Sequence, residues 1–530
     1  MPENNPPPSN SGSETEKPPK AWTIMVYLAG DNNLADECVY ALTEMKAANP
    51  DSRIQVVAQF DPMGRGKQTQ RFVLNRLLDE NDEEPKGLAA EKHDEKLDEG
   101  RKDRRKIKED RVDIPAERTV PFPDPRRPMR PPVEGATDEE GETDSGDPKV
   151  LFDFITWTVV NHPADRYMVV LSGHGSGPNE QVFLRDDSSN GSLTIKELGK
   201  VFNTVKNELK DKRGEPLEID IVGIDSCLMS MAEVCHELSG SVKYMISSES
   251  YAPRAGWPYG RVLERLSGLL TDGKASAEDL AAKVVEEHVD FYLDYADANG
   301  LSVDISMMDV RRAGELVTAV NALATKLKDI LLEDKGGADF LDQIVLAHWE
   351  AQSYNGELYV DLCDFCECLK ARYRPDLVKL MVPDQRTPDQ VNADIQLRQD
   401  VGKLCTDVIN LITKALVMKS CYTGATLQYS NGVSIYFPWA EVEPDYKASE
   451  LSFLEHSGWR EFLEAYVTKT RRHPRGFKPQ PDAAFPIALE EVRKTPTEGK
   501  GPANVPIRSM RNPPIQVIKG GLSKCRPGKP

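Results

Sequence analysis

Tyr167-Met-Val-Val-Leu171, breaking into Ser172-Gly-His-Gly-Ser-Gly177, and Ile219-Asp-Ile-Val-Gly-Ile224, breaking into Asp225-Ser-Cys-Leu-Met229, decide the fold. Both are short aliphatic runs, rich in β-branched residues, that stop at glycine or polar residues. That is the mark of strands buried in a parallel sheet. In such sheets the functional groups gather beyond the carboxyl ends of the strands. If the two strands are neighbours, His174 and Cys227 come to lie side by side there. A thiol with a base beside it is the pairing of a cysteine hydrolase.

Working outward, residues 22–29 read as a strand ending in Gly30-Asp-Asn-Asn-Leu34. A helical pattern follows through Leu34, Cys38, Leu42 and Met45, and then a second strand over 54–60. Strand, helix, strand at this spacing is a βαβ unit of an α/β sheet. Residues 69–77 suggest one arm of a hairpin, and 242–247 a further strand. Residues 1–20 offer almost nothing to bury and are expected to be disordered. From about 79 to 147 charged residues and prolines crowd together, which predicts an exposed insertion with a helical stretch near 91–109. Helical patterns dominate 276–332 and 339–416, one last strand over 433–437 stops at Pro438, and a Pro- and Lys/Arg-rich tail follows. The expected organisation is a catalytic domain over 21–325, a helical C-terminal region over 326–470 that returns a last strand, and a tail over 471–530.

Composition narrows the function. The chain has 530 residues and a net charge of -19, which argues against a general binder of nucleic acid or anionic membrane. No apolar stretch is long enough to span a bilayer, and the start lacks the basic and apolar regions of a signal peptide. Nine cysteines form a sparse, odd-numbered set that points to reduced thiols and a cytoplasmic location.

With these residues assembled, the chain resembles the clostripain family of cysteine peptidases, relatives of caspases, gingipains and legumain. The matching segments are residues 22–34, 146–167, 172–177, 225–233, 256–259 and 431–438. The resemblance implies a caspase-like α/β/α sandwich with a mostly parallel central sheet, and cleavage of protein or peptide substrates, usually after a basic residue. His174 is then the general base and Cys227 the nucleophile. No cofactor is required for this chemistry. The resemblance places the N–H groups of Gly175 and Cys227 in the oxyanion hole and implies a dyad, no third residue being evident.

A pocket for arginine or lysine needs a buried carboxylate. Asp225 matches a family position there; the alternative is a strand-end aspartate that accepts backbone N–H bonds. Glu249 is a second candidate acid, and Trp257 and Tyr259 are either pocket walls or core aromatics. Arg254 and Ala255 stand where relatives often carry glycine or an acidic residue, and a positive charge there opposes a basic P1 side chain.

The stretch 186–197 has the spacing of a calcium loop, with Asp186, Ser188, Asn190 and Glu197 as ligands. The competing reading is a plain turn followed by a Thr194/Glu197 capping box. Arg185, Lys212 and Arg213 lie between histidine and cysteine as candidate self-cleavage sites, with Arg213-Gly214 the most exposed by composition. Cys363, Cys366 and Cys368 lack a fourth ligand for zinc and read as a buried helix face. The alternative to an active peptidase is a non-catalytic scaffold or interaction module on the same fold, or a latent peptidase that a partner activates.

Overall fold

The computed structural model describes residues 20–74, 119–121, 143–472 and 523–526, interrupted at 49, 65–66, 179–181, 274, 300–301, 334–336 and 377–385. The expected disordered start, nearly all of the charged insertion, the helical stretch near 91–109 and most of the tail lie outside the described residues.

The strands are β1 (Lys20–Gly30), β2 (Ile54–Pro62), β3 (Gln70–Val73), β4 (Thr119–Pro121), β5 (Ala164–Ser172), β6 (Ile219–Asp225), β7 (Val242–Ser247) and β8 (Val303–Asp309). They continue with β9 (Ser353–Tyr354), β10 (Tyr359–Asp361), β11 (Val417–Thr423), β12 (Ser434–Tyr436) and β13 (Ser523–Arg526). Ten of them form one sheet in the order β13-β11-β8-β7-β6-β5-β1-β2-β3-β4. The five central strands, β7 through β2, pair in parallel, and antiparallel strands extend both edges. The predicted parallel core is therefore present.

Alternation along β1 shows why the sheet needs covering on both sides. Met25, Tyr27 and Ala29 enter one hydrophobic layer, and Ile24, Val26 and Leu28 enter the other. Helices Ala35–Ala47, Tyr259–Thr271 and Ala277–Asn299 cover the second face; Pro148–Asn161, Ile195–Glu208 and Ala313–Leu332 cover the first. A sheet buried on both faces selects the near-continuous apolar runs seen in the sequence. Helix Pro148–Asn161 begins where Asp147 accepts from the Lys149 N–H, with proline in its first turn. Among the described residues no helix is long and apolar enough to cross a membrane.

The region after 325 differs from expectation in two ways. Strand β8 falls inside a stretch whose apolar spacing suggested helix, and β11, which begins directly after another such stretch and was not anticipated, joins the central sheet beside β8. The segment 326–470 is thus built into the sheet rather than set apart from it. The last strand, β12, joins β10 and β9 in a separate three-stranded sheet. Helix Leu362–Arg372 buries Cys363, Cys366 and Cys368, as their helical spacing indicated. Cys421 is disulfide-bonded, so the expectation of an entirely reduced set fails there.

This architecture buries acids. Glu233 joins the two sheets' surroundings by accepting from the Tyr436 N–H (3.1 Å) and the Tyr446 hydroxyl (3.0 Å), and burial pushes it up to about 7. Burial likewise raises Glu249, aided by the charges of Asp361 and Asp304. A carboxyl whose folded pKa lies above its unfolded value binds an extra proton when folded. Its contribution is present below the unfolded pKa and is lost as pH rises through the folded one. His288 and His348, pushed down to about 3 by burial, act oppositely, but only below about 6.5. The thermal midpoint should therefore fall from pH 6.5 to 8.5, and Glu233→Gln should flatten that slope. A wild-type midpoint rising across that interval in a calorimetric scan would contradict this account.

Candidate active site

Topology makes the site. β1 has β2 on one side and β5 on the other, so the chain reverses direction across the sheet between β1 and β5. At such a switch point a crevice opens beyond the carboxyl ends of the strands. Ser172 of β5 is in register with Asp225 of β6, and His174 and Cys227 each follow two residues later. The two loops are tied together: the Ser226 hydroxyl donates to the Gly173 carbonyl at 2.7 Å, and Gly173 N–H to the Asp225 carbonyl at 3.4 Å. His174 and Cys227 line one cavity of about 190 Å³.

Glycine is required at 175, where a Cβ would lie 2.6 Å from the Cys227 carbonyl oxygen. The close approach brings the two backbone segments expected to supply the oxyanion hole together. Leu228, immediately after Cys227, adopts φ 61, a left-handed conformation that costs a branched residue free energy. The surrounding structure holds it: Leu228 N–H donates to the Ser250 carbonyl and Met229 N–H to the Ser248 carbonyl. The small sheet braces the same loops, since Ser434 N–H reaches the Ser230 carbonyl at 2.9 Å and the Tyr359 hydroxyl donates to the Ser176 carbonyl.

A third residue is present that the sequence did not reveal. Asn33, in the loop after β1, places Oδ1 2.6 Å from His174 Nε2. The contact fits the tautomer in which Nε2 donates its proton to the amide oxygen and Nδ1 carries the lone pair. Burial lowers the proton affinity of His174, with nearby Arg185 and Arg254 adding to the effect and Asp187 and Glu37 opposing it. Burial also raises the Cys227 thiol above its ordinary value. Both shifts favour the neutral pair, thiol and imidazole.

Asp225 lines the cavity and also satisfies the alternative reading. Its Oδ2 accepts from the Trp257 N–H (3.1 Å), the Tyr259 hydroxyl (2.9 Å) and the Ser172 hydroxyl (3.4 Å). Burial pushes it up to about 6, with those three donors pulling the other way. Tyr259 is a cavity wall, whereas Trp257 is buried against Gly223 of β6 and serves the site only through its backbone N–H. Glu249 does not reach the cavity lining. It is fully buried behind the loop and accepts from the Gly432 N–H at 2.7 Å. The wall opposite Asp225 is instead supplied by Asn33, Leu34 and Glu37, with Arg254 and Ala255 on the facing loop.

The 186–197 loop does not fit a calcium ion. Asp186 accepts from the Ser145 and Ser189 N–H groups. Glu197 forms a capping box with Thr194, accepting from its N–H and hydroxyl while Thr194 accepts from the Glu197 N–H. Ser188 and Asn190 belong to the intervening turn, and no group of three His, Cys, Asp or Glu side chains among the described residues has metal-holding geometry. The donors serve the chain's own backbone.

The model of the clostripain family matches residues 131–465. The clostripain of Hathewaya histolytica is 25% identical over 388 residues, 65% of this chain and 65% of that protein, so the match spans just under two thirds of that relative's length. Among solved structures, a secreted C11 cysteine protease from Bacteroides thetaiotaomicron in complex with an irreversible peptide inhibitor is 16% identical, with a TM-score of 0.48. The alignment covers 83% of this chain and 99% of that one. An inactive zymogen C11 protease from Parabacteroides distasonis covers the same shares at 16% identity and a TM-score of 0.47. With the family's pattern matched over more than half its length, and with histidine and cysteine at the two neighbouring strand ends, this chain belongs to the clostripain family.

Proposed function

We propose that this protein is a cysteine endopeptidase that cleaves peptide bonds after arginine or lysine. The observation that carries the reading is the shared cavity, lined by Cys227, His174 and the buried carboxylate of Asp225. In the proposed reaction the Cys227 proton passes to His174 Nδ1 as sulfur attacks the scissile carbonyl carbon. The oxyanion so formed takes hydrogen bonds from the N–H groups of Gly175 and Cys227. The C–N bond then breaks, the imidazolium protonates the departing amine, and a thioester remains. Water, deprotonated by His174, attacks the thioester and releases the acid and the thiol. Asn33 acts as a positioning residue, holding the imidazole in the tautomer this sequence requires. No step needs a metal ion or other cofactor, and the named donors of the 186–197 loop are engaged in turn and cap.

Self-cleavage is part of the proposal, and placement separates the candidates. Arg213 is exposed (82% of its side chain) in the turn that precedes β6, at the amino end of the sheet and so opposite the site. Lys212, ion-paired with Asp165, shares that turn. Both can be cut only by another molecule. Arg185 lies on the site's side, close enough for its charge to act on His174, and fits cleavage within one molecule.

The test is steady-state hydrolysis of fluorogenic peptides with Arg, Lys, Ala or Asp at P1, with calcium and with chelator. Turnover after Arg and Lys in both conditions is expected. Turnover only after Ala or Asp would remove the basic-pocket reading, and loss on chelation would remove the metal-free one. No turnover by intact, folded protein would favour the scaffold.

A further inference from the structure

The cavity that the proposed function assigns to a basic P1 side chain already holds a cation of its own. Arg254 stands on the Pro253–Gly256 turn, which is closed by a hydrogen bond from the Gly256 N–H to the Pro253 carbonyl. Its guanidinium crosses to the opposite wall and is fastened at two points. Nε pairs with Glu37 Oε1 at 3.1 Å, and Nη2 donates to the Asn33 carbonyl at 3.0 Å. The pair is unequal in exposure: the Glu37 side chain is 11% exposed, the Arg254 side chain 58%. Glu37 is thus a fixed carboxylate in the wall, and Arg254 is a half-solvated side chain free to swing toward water at modest cost.

Charges in the lining then number two acids, Asp225 and Glu37, and one base, Arg254. With Arg254 in place, an arriving lysine or arginine side chain meets one available carboxylate and one like charge. With Arg254 displaced, it meets two carboxylates and no like charge. An uncharged side chain gains nothing from the displacement and leaves Glu37 without its partner.

We propose that Arg254 is a built-in competitor for the pocket, and that a basic P1 side chain is admitted by exchanging with it on Glu37. Glu37 and Arg254 are therefore specificity-determining residues: Glu37 favours a basic side chain, and Arg254 sets the cost of its entry, a cost that a neutral side chain does not meet. This rests on the basic P1 reading. The exchange is also linked to catalysis. The Asn33 residue whose carbonyl holds Arg254 places its side-chain oxygen on His174 Nε2, and Arg254 is among the charges that lower the proton affinity of His174.

The experiment measures protection of Cys227 from iodoacetamide by agmatine, read by peptide mass mapping. It compares wild type, Arg254→Gln, Glu37→Gln and the double variant; hydrolysis of matched Arg and citrulline P1 peptides is measured alongside. Arg254→Gln should lower the half-protecting agmatine concentration about threefold or more, the scale of a partly exposed ion pair, and raise the Arg-over-citrulline ratio of kcat/KM by removing competition. Glu37→Gln should weaken protection, and in its presence the effect of Arg254→Gln should largely vanish. Protection of wild type with no change in Arg254→Gln would overturn the competitor while leaving the basic pocket standing. Labelling of Cys227 that agmatine does not slow in any variant would overturn both.

Discussion

Replacing Cys227 by alanine abolishes peptide hydrolysis and leaves the fold intact. The side chain lines the cavity at the edge of the apolar core, and its Sγ lies 3.9 Å from the Ala252 carbonyl oxygen, so removal of this one partly buried sulfur disturbs little packing. In the proposed reaction its loss removes the atom that forms the thioester, and losses of a catalytic nucleophile run to about 10⁴–10⁶ in kcat. The outcome is measured as kcat/KM on the best Arg or Lys substrate, with the thermal midpoint as the control for folding. Because groups that act as a unit are not additive, the Cys227→Ala/His174→Ala double variant should be no slower than Cys227→Ala alone. The same variant should accumulate uncut chain if self-cleavage after Arg185 is the protein's own reaction. Residual hydrolysis within tenfold of wild type would mean another nucleophile.

Asp225→Asn loses basic P1 substrates selectively. A buried carboxylate that pairs with an entering cation leaves that cation uncompensated when neutralised, a cost of about 2–5 kcal/mol, or roughly thirtyfold to several thousandfold in kcat/KM. Citrulline at P1, close in shape but uncharged, should fall far less. The pH dependence follows in sign. Pairing needs the ionised carboxylate, and burial pushes Asp225 up to about 6. The Arg-over-citrulline preference in kcat/KM should therefore fall as pH drops through about 6, and Asp225→Asn should show no such fall. The isosteric change keeps the acceptor for Trp257 N–H and Tyr259, so folding is expected to survive. A uniform loss on both substrates would assign Asp225 to loop support instead of specificity.

What the sequence showed and what it hid have physical reasons. A strand buried on both faces has a near-continuous apolar run, and its end is marked by the first glycine or polar residue. His174 and Cys227 sit at two such ends, in strands that prove to be in register. Local capping was legible too, since Thr194 and Glu197 are three residues apart and satisfy each other. Asn33 was not legible as a partner of the site, and Arg254, read as a charge opposing a basic P1 side chain, was not legible as the partner of Asn33 and Glu37. Asn33 meets His174 across 141 positions of chain and Arg254 across 221, so the strand order β1-β5-β6-β7 is what brings them together. The one available hint was polar residues at the end of β1, the strand at the switch point. Glu249 misled for the opposite reason: it follows a strand end on the correct side, yet its side chain turns toward Gly432 and is sealed beneath the loop. β8 was lost within a helical pattern, and β11 was missed at the end of another, because a short buried strand next to long helices shares their apolar content.

The central claim is that one thiol, activated by one histidine beside a cation-accepting cavity, does the chemistry. Peptide mass mapping after incubation with a peptidyl chloromethyl ketone ending in arginine tests it most directly. The account predicts a single adduct, on Cys227, formed quickly in wild type, slowed severely in His174→Ala and slowed in Asp225→Asn. Labelling at a different cysteine, or equal rates with His174 removed, would contradict it.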